Sequence, residues 1–310
     1  MRIIITGASG QYGRLAVAGL LKRVPAQDLI LLTRRPDKLA DLARLGADVR
    51  RGDFDEPAGL VEAFRGGERM LLISATRVGK RVVQHKAAID AAVAAGVRHI
   101  AYTSVVGIGP DNPALVTSDH GPTEKLMRES GLAWTALRDS QFADAVVFQM
   151  APNALANRRW LSSSGDGRIA VVAREDCVAC AVEVLTGDGH KNRIYNVTGP
   201  DLLTYREAAA MAGEIAGAAI DYVATDDDGM YAMFDALGIP REPVDDQIVA
   251  GIPWNSDDMV TFEAAVREGC FEVISEDVER LTGRRPKSLR ALMVENAAML
   301  QAAAAGQLPT

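Results

Sequence analysis

The chain has 310 residues, 48% apolar and 24% charged, with a net charge of −7. Such a chain can bury a sizeable core as one large domain or two modest ones. The acidic balance argues against a broad nucleic-acid surface, no apolar run is long enough to span a bilayer, and three cysteines make no disulfide framework. Because the first residues already read as a strand, no secretory signal is expected, and a cytoplasmic location is.

Apolar and β-branched runs predict strands at 2–6, 29–33, 48–51, 69–74, 99–103 and 133–137. Helical patterns lie between them at 12–22, 36–45, 57–64, 80–95 and 119–130. Short apolar strands alternating with helices imply an α/β fold with a doubly wound parallel sheet, covered on both faces. The pattern loosens after Phe142. A turn at 162–167 precedes a strand near 168–172, a helix at 176–185 and a strand at 193–197. The last hundred residues read as mostly helical, with turns at Gly238-Ile-Pro240 and Gly283-Arg-Arg-Pro286. The expected division is a nucleotide-binding domain over 1–150 and a smaller, mostly helical substrate domain over 151–310, with part of 168–200 returning to the sheet.

Ligands of open α/β sheets bind beyond the C-terminal ends of the strands. The first such end carries Gly7-Ala-Ser-Gly10-Gln-Tyr-Gly13 between strand and helix. Backbone N–H groups, the helix dipole and missing side chains make an anion site there, suited to a pyrophosphate. After strand two stands Thr33-Arg34-Arg35-Pro36, where an NAD site usually carries a carboxylate. Arg34 would pair with the 2′-phosphate of NADP; the alternative is a solvated basic pair. After strand three, Asp53 and Phe54 would hold and pack on an adenine, or Asp53 would cap the next helix. After strand four, the small residues Ser74, Ala75 and Thr76 would let a ribose cross closely.

Strand five ends Tyr102-Thr103-Ser104, and a helix follows through His120 and Lys125. Lys125 would bind the ribose beside the nicotinamide and polarise a substrate carbonyl; the alternative is an ordinary surface lysine. His120 would donate a proton, cap the helix or face solvent. Cys177-Val-Ala-Cys180 reads as helix packing rather than a redox pair, and no His or Cys cluster makes a metal site.

Together these residues resemble the NmrA-like branch of the atypical short-chain dehydrogenases, most closely its NADPH-dependent quinone oxidoreductases and triphenylmethane reductase. The resemblance rests on Ile5 to Gln11, Thr33 to Pro36, Leu71 to Ser74, Ala94 to Ser104, His120 to Lys125, Leu137-Arg138-Asp139, Gly165 to Ile169 and Arg193 to Val197. It covers most of the chain in order. It implies a Rossmann domain under a smaller C-terminal substrate domain, with NADP(H) in the cleft. Gly7, Ala8, Ser9, Gly10, Gln11 and Tyr12 would lie on the pyrophosphate, and Arg34 on the 2′-phosphate. Ser74 to Thr76 would line the nicotinamide side. Two departures stand out. With Ser104 and Lys125 in the catalytic positions of typical short-chain dehydrogenases, the tyrosine position is Gly121, with His120 beside it. Asparagine or proline commonly follows the Leu-Arg that ends strand six, and here Asp139 does.

The leading expectation is an NADPH-dependent oxidoreductase passing hydride to a quinone or related conjugated aromatic acceptor, acting as monomer or homodimer without membrane or nucleic acid. Hydride transfer to a planar, electron-poor acceptor needs apposed faces and excluded water. Phe142, Tyr231 and Trp254 are the expected substrate residues, with Phe148, Met150, Met230 and Phe234 as further candidate walls. The alternatives are a lignan- or isoflavone-type reductase and a non-catalytic NAD(P)-binding redox sensor.

Overall fold

β1 (Ile3–Ile5) is three isoleucines with no exposed surface. Successive strand side chains point to opposite faces, so a run buried throughout needs cover on both. A computed structural model, describing residues 1–244, 249 and 254–307, contains that cover. The chain continues through α1 (Gln11–Leu20), β2 (Leu29–Thr33), α2 (Ala40–Arg44), β3 (Asp48–Arg51), α3 (Leu60–Phe64), β4 (Arg69–Leu72), α4 (Arg81–Ala95), β5 (His99–Val105), α5 (Leu115–Glu129) and β6 (Ala133–Asp139). There follow α6 (Ala143–Ala145), a π-helical turn (Val146–Met150), α7 (Ala151–Asn157), β7 (Arg159–Ser162), α8 (Arg174–Thr186), β8 (Arg193–Val197), α9 (Tyr205–Ala216) and β9 (Asp221–Ala224). The remaining described helices are α10 (Asp227–Ala236), α11 (Ser256–Arg267), α12 (Asp277–Thr282), α13 (Leu289–Glu295) and α14 (Ala297–Ala304).

Seven strands lie side by side in the order β3-β2-β1-β4-β5-β6-β8, every neighbour parallel. This is the expected doubly wound Rossmann-type sheet. The order reverses between β1 and β4, which opens the binding crevice at the C-terminal strand ends. Ile3, Ile5, Leu31 and Leu137 pack in one core with α1 and α8. Ile4, Ile30, Met70 and Ile100 pack in another with α3, α4 and α5. A third core gathers Leu155 of α7, Ala209 of α9, Met293 of α13 and Leu300 of α14 around Trp160 and Tyr205. It also takes Val105 and Val106 from the end of β5, so these helices sit against the ligand-binding edge of the sheet.

Three elements differ from expectation. α5 begins at Leu115, a turn earlier than 119, because Pro122 reads as a first-turn proline yet lies inside the helix. Residues 168–172 form no strand, only the isolated bridges Phe142↔Val172 and Ile169↔Leu203. β7 and β9 make a second, two-stranded parallel sheet that the pattern did not predict, since four-residue strands show little periodicity. No helix among the described residues is long and apolar enough to cross a membrane.

Candidate active site

β1 hands the chain to Gly7, whose φ of +58° suits glycine. Thr6 Oγ1 donates to Leu71 O at 3.2 Å and accepts the Ile73 amide at 2.9 Å, tying this turn to β4. Gly10 is the N-cap of α1; no side chain caps it, and the first turn carries no acid. Among the described residues, no capping side chain or first-turn acid therefore competes for the first-turn amides and the positive end of the dipole. Gly13 sets how closely helix meets strand: a Cβ there would lie 2.4 Å from Gly7 O and 2.7 Å from Ala8 Cα. A close backbone, a free helix N-terminus and no local carboxylate fit a pyrophosphate. Ala8 and Tyr12 are buried, Gln11 is exposed, and Ser9 Oγ braces Thr33 Oγ1 at 2.8 Å.

Arg34 and Arg35 follow β2, both exposed, and no acid stands between Thr33 and Pro36. Past β3, Asp53 Oδ1 accepts the Asp55 amide at 3.1 Å, so its carboxylate caps its own turn. Phe54 packs on the inner core, edge-on to His85 at 6.4 Å between ring centres. Past β4, the Ser74 amide donates to Thr103 Oγ1 at 2.8 Å, and Ala75 and Thr76 are held by α4.

The inner face of α5 carries Thr117, His120, Thr123, Glu124 and Met127. His120 is buried, its Nδ1 2.8 Å from the Tyr102 hydroxyl. Burial, then the charge of Arg81, pushes His120 well below the usual histidine range. The ring is neutral at pH 7, so it is not the ready proton donor the sequence suggested. Ser104 Oγ donates to Glu124 Oε1 at 2.7 Å. Arg138 grips the same carboxylate with Nε at 2.9 Å and Nη2 at 2.7 Å, and Arg128 adds a bond at 3.2 Å. Burial alone would push Glu124 up, but the bonds from Arg138 and Ser104 outweigh it and hold it below the ordinary range.

Lys125 does not join them. One residue is about 100° of helix rotation, and this carries its side chain outward, 70% exposed and 3.8 Å from Glu129. The i, i+4 pair on the sheet side is His120 and Glu124, not Gly121 and Lys125. The spacing His120-x-x-x-Glu124 was the signal that sequence reasoning passed over. Lys125→Ala is accordingly expected to leave NADPH affinity and turnover within about twofold of the unaltered protein, as exposed substitutions do. A steady-state comparison checks this, and a tenfold loss would return Lys125 to the site.

Asp139 ends β6 with its side chain buried beside Cys177. Among the described residues, no hydrogen bond reaches either carboxyl oxygen, and the buried Tyr12 hydroxyl is likewise unpartnered. Burial pushes Asp139 well above the usual carboxylate range, because a lone charge there would be far costlier than a neutral acid. Cys177 and Cys180 are free, buried thiols of the α1–α8 core, and burial pushes both upward, away from thiolate chemistry. Among the described residues, no group of three His, Cys, Asp or Glu is placed to hold a metal.

The expected substrate aromatics do not form one wall. Phe142 lies 6.2 Å from the Tyr12 ring, with the Arg174 guanidinium 4.9 Å above it. Tyr231 packs on a separate cluster between α10 and α11, under Arg241 at 3.9 Å. Trp254 is half-buried just before α11. Met230 and Phe234 are core residues, whereas Phe148 of the π-helical turn is exposed.

Residues 7–187 match the model of the NAD(P)H-binding family. The chain is 35% identical to quinone oxidoreductase 2 of Escherichia coli over 238 residues, 77% of this chain and 82% of that one. The crystal structure of that NADPH-dependent quinone oxidoreductase complexed with NADPH superposes with a TM-score of 0.86 at 31% identity, covering 96% of this chain and 99% of the other. The Citrobacter sp. triphenylmethane reductase complexed with NADP(H) gives 0.85 at 29% identity, covering 95% and 99%. With a family match over more than half its length and the glycine cradle, switch point and seven-stranded sheet all in place, the chain belongs to the NAD(P)H-binding family, in the NmrA-like branch of the atypical short-chain dehydrogenases.

Proposed function

We propose that this NAD(P)H-dependent oxidoreductase draws hydride from NADPH and passes it to a quinone or a related conjugated aromatic acceptor. One observation carries the choice of acceptor. The helix face that could bring an acid to the strand ends is already committed: Glu124 is locked ionised between Ser104 and Arg138, and His120 is neutral against Tyr102. Neither group therefore offers a ready proton to a reduced substrate, and Asp119, the remaining buried acid of α5, is raised by burial while the Gly79 amide on its Oδ2 at 2.7 Å opposes that rise. Hydride addition to a quinone gives a stabilised phenolate-type oxyanion that water protonates. A simple ketone gives a far more basic alkoxide, for which a positioned general acid matters.

When bound, NADPH supplies the hydride. The α1 N-terminus and the glycine turn would hold its pyrophosphate, Arg34 would take its 2′-phosphate, and the 74–76 loop would support the ribose on the nicotinamide side. The core around Trp160 and Tyr205 packs helices against the strand ends, where they help keep water out. The relatives named above point the same way, being a quinone oxidoreductase and a dye reductase solved with NADPH or NADP(H).

Turnover of NADPH against a panel of quinones, simple ketones and aldehydes tests this reading. Quinones are expected to react at least about tenfold faster than ketones, the span of one lost acid–base contribution or less. Turnover of ketones alone would overturn it. NADPH is expected to bind at least about tenfold more tightly than NADH, and Arg34→Ala to erase most of that difference, since a guanidinium–phosphate contact is worth about 1.4 kcal/mol or more. Equal affinities in the unaltered protein, measured by fluorescence titration, would remove the NADP assignment.

A further inference from the structure

The first two turns of α4 are spent on the loop that precedes them. Arg81 Nε donates to the Ala75 carbonyl at 2.6 Å, and its Nη2 to the Thr76 carbonyl at 3.1 Å. One turn on, His85 Nε2 accepts the Ala75 amide at 3.0 Å. Thr103 Oγ1 of β5 takes the Ser74 amide from the other side. Backbone groups of three consecutive residues after β4 are thus held by side chains, and Arg81 and His85 are 6% and 0% exposed. A loop beyond a strand end commonly leaves such groups to water.

The bonds also set the tautomer of His85. Its Nε2 faces a donor, so the proton sits on Nδ1, 3.0 Å from Thr123 Oγ1. Thr123 Oγ1 spends its own hydrogen on the Asp119 carbonyl at 2.8 Å, which leaves it an acceptor toward His85. Burial, then the charge of Arg81, holds His85 down to about 3. The ring is therefore neutral and directional at any working pH.

We propose that Arg81 and His85 are a positioning pair for hydride transfer: together they fix the height of the Ser74–Thr76 loop, and with it the ribose and nicotinamide that lie against it. Neither residue touches the reacting atoms. The inference rests on the NADPH reading above. The phosphate contacts proposed at Gly7–Gly13 and Arg34 would supply most of the cofactor affinity, whereas the bonds of this pair go to Ala75 and Thr76. Loosening the loop should therefore slow transfer much more than it weakens binding.

His85→Phe keeps a buried ring but removes the acceptor, while His85→Gln restores an oxygen within reach of the Ala75 amide. NADPH Kd, single-turnover reduction of a quinone and Tm are measured for each. For His85→Phe the Kd is expected to stay within about threefold while the transfer rate falls at least about thirtyfold, because misplacement by about 1 Å can cost about 10²-fold. His85→Gln is expected to recover to within about fivefold of the unaltered rate. Equal losses in the two variants, or losses that follow Tm, would make His85 packing alone and overturn the proposal. Thr123→Val, nearly the same shape, removes the acceptor for Nδ1–H and keeps the test alive should His85→Phe not fold. It is expected to slow transfer at unchanged Kd, and an unchanged rate would overturn the tautomer argument. Failure of the unaltered protein to bind NADPH would overturn the underlying reading and this inference with it.

Discussion

Gly13→Ala is expected to raise the NADPH Kd at least about tenfold, a loss of about 1.4 kcal/mol or more. The added Cβ would lie 2.4 Å from Gly7 O and 2.7 Å from Ala8 Cα, and both are backbone atoms that cannot rotate aside. α1 must then move away from the turn, and its first-turn amides leave the place where a pyrophosphate would meet them. The seven-stranded sheet does not depend on that contact, so far-UV circular dichroism should be unchanged. Gly59→Ala is the control. Gly59 has an ordinary φ of −90°, and a Cβ there would meet nothing within 4 Å. Its Kd should stay within about twofold, as at other unconstrained positions. An unchanged Kd for Gly13→Ala would mean the cofactor does not use this helix end.

Glu124→Ala is expected to cost about 3–5 kcal/mol of stability at pH 7, the usual penalty for breaking a buried ion pair by removing one partner. Glu124 is 1% exposed, and its loss strands Arg138, which is itself mostly buried. The pH dependence has a definite sign. The folded Glu124 lies below its ordinary value of 4.5, so its contribution is complete above that value and is lost as pH falls through the folded pKa. The stability gap between the two proteins should therefore be full at pH 7 and narrow in acid. Urea unfolding at several pH values measures it. Glu124→Gln separates structure from chemistry, because it keeps the shape and removes the charge. Loss of turnover in that variant without loss of stability or NADPH affinity would make Glu124 a proton-carrying group, and would remove the ground for preferring an acceptor that needs no acid.

Much of the cofactor side was legible in the sequence because it is written in neighbours. β2, β3 and β8 begin and end where the apolar and β-branched runs do. The glycine turn, the arginines after β2 and the small residues after β4 follow strand ends, and the doubly wound order brings those ends to one edge. The reading of Cys177 and Cys180 as packing belongs here too, since a helix surrounded by alanine and valine needs small apolar residues on its buried face.

Tertiary structure alone decided the rest, for two physical reasons. The first is helix phase. Which residue of Glu124-Lys125 faces the sheet depends on how α5 seats His120, Thr123 and Met127 against β5, and a shift of one residue exchanges a locked carboxylate for a solvent-exposed lysine. The second is that burial, not residue type, sets protonation. His120 and Asp139 titrate ordinarily as free side chains, yet the fold keeps both neutral, and no local pattern reveals which histidine or aspartate will lose its water. Sequence by itself determined the sheet and the place where a dinucleotide would lie. Packing at long range decided that Glu124 and His120, on the helix beside that place, offer no ready proton, and that Arg81 and His85 hold the loop on which the nicotinamide end would rest.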